Sequence, residues 1–254
     1  MTTHTIERDA LCAHLDQLLE PGRFRDYGPN GLQVEGKGRI RKIVTGVTAS
    51  LALIDAAIAA DADALLVHHG LFWRGQDGRV TGWMRQRLAR LLGHELNLLA
   101  YHLPLDAHPE LGNNAQWGLQ LGLLADARFG EQDLGFIGPA PQGMDSAQAL
   151  AARVELALAR PTTLVPGDGR PLRRVAWCSG GAQGYFEPAI AAGADIFLTG
   201  EISEPQAHYA RETGVAFLAC GHHASERYGV QALGDTLARH FGVAHTFIEV
   251  PNPA

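Results

Sequence analysis

The chain has 254 residues, of which 46% are hydrophobic and 19% are charged, and this balance excludes a largely disordered protein. Its formal net charge of −6 argues against tight binding to nucleic acid, which depends on neutralising phosphates with Lys and Arg. The three cysteines, Cys12, Cys178 and Cys220, are far apart and odd in number. We therefore expect reduced thiols in the cytoplasm and no disulfide framework.

The N-terminal segment predicts an amphipathic helix that is capped by Thr5 and carries leucines at helical spacing: Leu11, Leu15, Leu18 and Leu19. It lacks the basic and apolar parts of a secretory signal, so we expect no such signal. No apolar run approaches the roughly 18 residues of a membrane span, so we expect no membrane partner.

Strands and helices alternate in the next part of the chain. The pattern predicts a strand over 42–49, a helix over 50–62 with Ser50 as its N-cap, a strand over 63–69, a helix over 81–95 and a strand over 96–102. The same order returns later, as a strand over 173–180, a helix over 185–194, a strand over 195–201, a helix over 204–214 and a strand over 215–220. A further helix is predicted over 146–158, between two segments rich in Gly and Pro.

The two series suggest an internal duplication. The segment "AIAADADALLV" at 57–67 aligns with "AIAAGADIFLT" at 189–199, at a constant offset of 132 residues. Chance similarity between alanine-rich helices is the alternative, but five elements recur in the same order. We predict an α/β fold of two similar lobes with mainly parallel sheets, the first over residues 1–126 and the second over 127–254.

Histidines cluster where predicted strands end. Six of the 12 histidines fall in three short segments: His68, His69, His102, His108, His222 and His223. Ligands of open parallel sheets bind outside the carboxyl ends of the strands. If the two lobes face each other, these ends would line a common cleft with a metal site in it.

The residue types around these histidines suit divalent metals. We identify five candidate ligands: His68, His69, Asp106, His222 and Glu226. His222 and Glu226 are four residues apart and share a face if a helix begins there. Three histidines and two carboxylates suit two ions, which at about 3.5–4 Å separation polarise a substrate oxygen and generate hydroxide near neutral pH. An isolated histidine is more often a surface or core residue, and that interpretation stays open for each residue taken alone.

Other residues near these segments are candidates for catalysis, although each has a structural alternative. His102 and His108 flank Asp106 and would contact the substrate or the metal ligands, or pack locally in their loop. Glu201 matches His69 under the 132-residue offset and, if the lobes face each other, would serve as a general base or as a hydrogen-bond acceptor for a metal ligand; a helix cap is the alternative. The glycine-rich "CSGGAQG" at 178–184 suits a phosphate only weakly, and Cys178 has no assignable base.

The chain resembles a known family at "DYGPNGLQVEG", "ALLVHHGLFW", "HLPLDAHPELGNN", "DIFLTGE" and "GHHASER". This family is the GTP cyclohydrolase I type 2 homologs, or Nif-three-like proteins, here in the short bacterial form without an inserted domain. The resemblance implies a Nif-three-like fold and metal ligands at the five positions given above.

The resemblance also implies expectations about metals, assembly and activity. It implies two divalent ions per subunit, whether Zn, Fe, Mn or Ni, and a homohexamer built as a trimer of dimers. It also implies a small-molecule substrate, with hydrolytic opening of the GTP imidazole ring as the named activity and a general metal-dependent hydrolase as the wider class. A metal-binding scaffold or regulatory protein without turnover is the alternative.

Overall fold

A computed structural model describes residues 4–254 of the chain. These residues form two compact units. Unit 1 comprises the chain up to Leu105 together with Val230–Pro251, and unit 2 comprises Asp106–Gly229 together with Asn252–Ala254. Within the described residues, no helix combines the length and the apolarity that a membrane span requires.

Helices and strands alternate along most of the chain. The first part contains β1 (Ile6–Glu7), α1 (Arg8–Leu19), β2 (Gly31–Val34), β3 (Arg39–Ile40), β4 (Lys42–Thr48), α2 (Leu51–Ala59), β5 (Ala64–His69), α3 (Gly82–Gly93), β6 (Asn97–Ala100), α4 (Leu103–Ala107) and α5 (Asn113–Leu121). The second part contains β7 (Ala127–Phe129), β8 (Gly135–Pro139), α6 (Ala147–Leu158), β9 (Thr163–Val165), β10 (Arg174–Trp177), α7 (Phe186–Ala191), β11 (Ile196–Thr199), α8 (Glu204–Thr213), β12 (Ala216–Ala219), α9 (His222–Phe241) and β13 (Ala244–Phe247).

Unit 1 is built on a five-stranded sheet in the order β13-β4-β5-β6-β2. The first four strands are parallel, and only β2 runs antiparallel to its neighbour β6. Strand β5 is buried along its length until His69, as expected for a parallel strand covered on both faces. A separate two-stranded ribbon pairs β1 with β3.

Unit 2 is built on a six-stranded sheet in the order β7-β8-β10-β11-β12-β9. Its centre, β10-β11-β12, is parallel, whereas β7, β8 and β9 pair antiparallel with their neighbours. The α/β class is therefore confirmed, and the parallel arrangement holds for unit 1 and for the centre of unit 2. The antiparallel strands of unit 2 were not predicted, because β7 and β9 have only three residues each and β8 is interrupted by glycine and ends in proline.

The duplication extends to individual hydrogen bonds. Strand β4 begins at Lys42 and β10 at Arg174, which is the offset found in the sequence. The Asp63 carboxylate accepts the backbone N–H of Lys42 at 3.2 Å, and the Asp195 carboxylate accepts that of Arg174 at 2.9 Å. Each aspartate thus links the start of one strand to the start of the next. Chance similarity between alanine-rich helices does not account for such a match.

The extent of the units differs from the expected lobes, because the boundary expected at 126/127 lies inside unit 2. Two elements explain the difference. Strand β13 returns to pair with β4, which brings residues 230–251 into unit 1. Helix α5 packs its buried Trp117 and Leu121 into the core of unit 2. The repeat covers only the central strands and helices that both units share. The boundaries of the units depend on β13 and α5, which lie outside the repeat.

The expected helix caps are partly confirmed. Ser50 caps α2, since its hydroxyl accepts the Leu53 N–H at 3.1 Å. The Thr5 cap is wrong, because the strand β1 comes first and α1 starts at Arg8, with Glu7 at the cap position. The leucines of α1 behave as expected in three cases out of four, as Leu11, Leu15 and Leu19 are buried while Leu18 is half-buried.

Candidate metal centre

Three histidines gather at the carboxyl end of the unit 1 sheet, and we call them the histidine cluster: His68, His69 and His102. The ring centroids of His68 and His69 are 4.6 Å apart, and His102 lies 4.9 Å from His68 and 5.6 Å from His69. One nitrogen from each ring lies within 4.8 Å of the others, so the three can hold a metal ion. The chain turns at Gly70, where an added Cβ would overlap the Gln33 side-chain amide.

Hydrogen bonds fix the tautomer of two of these rings. The Nδ1 of His68 lies 3.0 Å from the Tyr101 carbonyl oxygen, which only accepts, so Nδ1–H donates. The Nδ1 of His102 donates to Asp26 Oδ1 at 2.6 Å in the same way. In both neutral rings Nε2 therefore carries the lone pair, as in metal-binding histidines whose second nitrogen is tied to an acceptor.

Asp26 supports the histidine cluster through His102, a contact that the sequence did not reveal. Its side chain is only 4% exposed, and Oδ2 accepts Asn30 Nδ2 at 2.8 Å and the Leu103 N–H at 2.9 Å. Burial raises the pKa of this carboxyl, but the hydrogen bond to His102 and its charge outweigh burial and lower the pKa overall. The "DYGPNG" block contains Asp26, yet nothing in the sequence connects it with His102.

A second group of ligand-type side chains lies in unit 2, and we call it the carboxylate cluster: Asp106, His222 and Glu226. Asp106 belongs to α4, and the other two lie in the first turns of α9. His222 Nε2 is 3.1 Å from Glu226 Oε2, which confirms the shared helix face. One oxygen of Asp106 lies within 4.8 Å of one of Glu226.

Neighbouring polar groups hold Asp106 in place. Its Oδ1 accepts Asn113 Nδ2 at 2.9 Å and Ser179 Oγ at 3.2 Å. Asn113 in turn accepts the Gly229 N–H at 3.0 Å, so the amide bridges α4 and α9. Asn113 lies in the motif "HLPLDAHPELGNN" and Ser179 in "CSGGAQG", but only the fold shows that both orient the Asp106 carboxylate.

Glu201 orients His222. The His222 Nδ1 donates to Glu201 Oε1 at 2.6 Å, and Glu201 follows β11 at the place where His69 ends β5. A carboxylate that holds the second nitrogen of a histidine is the usual support of a metal ligand. Burial lowers the pKa of His222, but hydrogen bonds and charge from Glu226 and Glu201 outweigh it and raise the pKa to about 9.

Two glycines make room for this cluster. An added Cβ at Gly180 would overlap Glu226 Oε1, and the residue has φ +69°, which favours glycine. A Cβ at Gly200 would lie 2.5 Å from the His222 Cα. The glycine-rich segment 178–184 is therefore explained in part by close packing against His222 and Glu226. Burial raises the pKa of the Cys178 thiol, which agrees with its exclusion as a nucleophile.

His108 and His223 have other surroundings. His108 Nδ1 accepts the backbone N–H groups of Glu110 at 3.2 Å and Leu111 at 3.0 Å, which is a local loop role. Burial lowers the pKa of His108. The His223 N–H donates to the Ala254 carbonyl at 3.2 Å. Neither histidine joins a group that can hold a metal among residues 4–254.

The chemistry of the donors fits divalent ions. Imidazole nitrogen and carboxylate oxygen are the usual protein ligands of Zn, Fe, Mn and Ni. Asp106 is 7% exposed and Glu226 is 2% exposed, and two neighbouring buried carboxylates are costly unless a cation offsets their desolvation and repulsion. Both clusters thus fit a metal. In the histidine cluster the tautomers leave the lone pair on Nε2, and in the carboxylate cluster two buried carboxylates supply negative charge.

The fold and the two clusters define an α/β protein with side-chain groups that can hold metal ions. The chain belongs to the Duf34/NIF3 (NGG1p interacting factor 3) family, whose model matches residues 6–253. It is 52% identical over 252 residues to a Pseudomonas aeruginosa protein called GTP cyclohydrolase 1 type 2 homolog, covering 98% of this chain and 99% of that protein. A Neisseria meningitidis serogroup B protein of the same name is 53% identical over 239 residues, covering 94% and 96%.

Solved structures agree with this assignment. A protein called ybgI, described as of unknown function, matches with a TM-score of 0.92 and 43% identity, covering 98% of this chain and 100% of that one. A Thermus thermophilus protein matches with a TM-score of 0.87 and 34% identity, with the same coverage. The resemblance found in the sequence is therefore confirmed.

The raised pKa of His222 predicts how metal uptake depends on pH. Without metal, Nδ1–H donates to Glu201 and Nε2–H to Glu226, so ligation through Nε2 must displace a proton below pH 9. We expect metal affinity to rise by up to about tenfold per pH unit towards pH 9, with a proton released at pH 7. Calorimetry in buffers of different ionisation enthalpy measures this release.

The same pKa gives the sign of the stability effect. Because it lies above the ordinary value of 6.5, the ion pair stabilises the metal-free chain fully below pH 6.5, and this contribution is lost as the pH rises through about 9. Glu201→Gln removes one of the charges and is expected to reduce proton release at pH 8. A metal affinity that does not change between pH 6 and 9 would contradict the assignment of His222 as a ligand.

Proposed function

We propose that the chain is a dinuclear metal-dependent hydrolase that acts on a nucleotide or a related heterocycle. The proposed ligands of its two divalent ions are the five residues that the sequence indicates: His68, His69, Asp106, His222 and Glu226. The observation that carries the proposal is the shared arrangement of the imidazoles. His68, His102 and His222 each donate Nδ1–H to an oxygen acceptor, which directs Nε2 to ligation or proton transfer.

The residues have distinct roles in this proposal. Bound divalent ions supply Lewis acidity and lower the pKa of water. His102 is the candidate base, because Nε2 can take the proton from the attacking water while Asp26 stabilises the resulting imidazolium. Glu201 holds His222 in its ligating orientation. His108, also a catalytic candidate from the sequence, is given no role beyond its loop.

The substrate class follows from the names of the relatives and the character of the site. The Pseudomonas and Neisseria proteins are called GTP cyclohydrolase 1 type 2 homologs, so the electrophile we propose is the C8 carbon of a purine ring. We further propose that the protein works in the cytoplasm as a homohexamer, a trimer of dimers, with Zn, Fe, Mn or Ni as its metal.

A turnover screen tests this function. Protein loaded separately with each of the four metals is incubated with a panel of purine and pyrimidine nucleotides. We expect the wild-type protein to hydrolyse at least one nucleotide and His68→Ala to hydrolyse none. Equal turnover by that variant would contradict the proposal. Tight metal binding without turnover of any nucleotide would favour the alternative, a metal-binding scaffold.

A further inference from the structure

Unit 1 carries an open groove of about 490 Å³ beside the histidine cluster. The groove lies between residues 21–30 and Arg74, and we call it the arginine groove because Arg25 and Arg74 both line it. Neither the proposed metal ligands nor the candidate base belongs to its walls. Its chemistry therefore has to be explained separately.

The arginine groove is continuous with the histidine cluster. Gly28 and Asn30 line the groove, and they also line a small cavity whose walls include His68 and His102. Asp26 connects the two through different atoms. Its carboxylate accepts from His102, while its backbone oxygen accepts from the Arg74 guanidinium at 2.8 Å. Asp26 is thus the residue that separates a molecule in the groove from His102, the candidate base.

The groove presents a positive charge. The guanidinium of Arg74 is exposed and is held by a neutral backbone oxygen, and among residues 4–254 no carboxylate pairs with it. Arg79, five residues further along the same loop, differs because Asp77 binds it at 2.6 Å. Asp26 also lines the groove, but its carboxylate is buried against His102. In a chain of net charge −6, an arginine left in this state suits an anionic ligand.

Aromatic rings lie beside the histidine cluster, and Trp73 also lines the small cavity that shares Gly28 and Asn30 with the groove. The Trp73 ring lies 5.1 Å from His102 and 5.9 Å from His69, and Tyr27 lies 6.1 Å from His102. Tyr27 packs edge-on against His102 and is still 59% exposed, so much of its side chain remains accessible. Such rings offer faces on which a planar heterocycle stacks.

We propose that the arginine groove binds the phosphate part of a nucleotide, with its base against Tyr27 and Trp73. The substrate class is then a phosphorylated nucleotide, and a free base or nucleoside binds much more weakly. This inference deepens the proposed function and rests on it for the identity of the reaction, but binding alone tests the groove.

Equilibrium binding of GTP and guanosine to the 254-residue chain provides the test. Arg74→Gln removes the charge while its amide can still donate to the Asp26 backbone oxygen, and Arg74→Lys keeps the charge. We expect Arg74→Gln to weaken GTP binding about ten- to hundredfold with guanosine unchanged, and Arg74→Lys to weaken it less. Arg79→Gln is the matched control and should bind GTP like the wild type. Circular dichroism verifies that each variant is folded.

A second variant separates the groove from the metal. His68→Ala removes a proposed metal ligand without touching the groove, so it should still prefer GTP over guanosine. If that preference disappears in His68→Ala but survives in Arg74→Gln, phosphates bind at the metal and the groove proposal is wrong, while the proposed function stands. If Arg74→Gln loses the preference but no protein hydrolyses any nucleotide, the proposed function fails and the groove proposal stands. Equal loss in Arg79→Gln would also overturn it.

Discussion

Glu226→Ala is expected to abolish metal binding while the fold persists. The carboxylate is 2% exposed and lies 3.1 Å from His222 Nε2, where it is a proposed metal ligand. Removing partners that only orient ligands costs about 10–100-fold in metal affinity, and removal of a ligand itself should cost more. Thermal unfolding measures the effect, because metal at 100 times its Kd stabilises the native state by about 2.7 kcal/mol.

The chain offers a matched control for this substitution. Glu204 and His208 form the same four-residue pair at 2.9 Å on α8, but Glu204 is 81% exposed. Added metal should raise the unfolding temperature of the wild type and of Glu204→Ala, and leave that of Glu226→Ala unchanged. An equal rise in all three proteins would show that Glu226 is not a ligand.

Gly180→Ala is expected to damage the carboxylate cluster through the backbone. The residue has φ +69°, a conformation that costs an L-amino acid roughly 1–2 kcal/mol. The new Cβ would also overlap Glu226 Oε1 and lie 3.3 Å from His222 Nε2, so both side chains must move. We expect a loss of about 1–2 kcal/mol or more in unfolding free energy together with weaker metal binding. Urea unfolding and metal titration measure the two effects.

Gly184 provides the comparison within the same segment. An added Cβ there would meet no atom within 4 Å, and the backbone conformation is an ordinary one. Gly184→Ala should therefore leave both stability and metal binding within error of the wild type. If Gly180→Ala kept full metal affinity, the close packing of this segment against Glu226 would be irrelevant to the site.

Local sequence patterns predicted those candidate site residues that lie at the ends of strands. The apolar run 64–67 followed by His68 and His69 marks a buried strand that stops at polar residues, and the structure places β5 there. The spacing of His222 and Glu226 predicts one helix face, which α9 provides. The offset between the repeats predicts Glu201 at the end of a strand, and it directly follows β11 and Gly200. In each case the information lies within a few residues of the feature or in the repeat itself.

Features that depend on distant residues were not accessible in this way. Asp26 and His102 are 76 residues apart, and only the fold places their atoms 2.6 Å from each other. The return of β13 to β4 depends on a pairing between chain segments about two hundred residues apart, which periodicity does not encode. Short antiparallel strands such as β9 contain too few residues to show alternation.

The metal-to-protein ratio of the 254-residue chain tests the central claim most directly. The protein is purified without chelator, loaded with each candidate metal at pH 8, freed of excess ion and measured by elemental analysis against amino-acid quantification. The proposed centre predicts two ions per chain in the wild type and fewer in His68→Ala and Glu226→Ala. One ion or none per chain under every loading condition would contradict the proposed dinuclear centre.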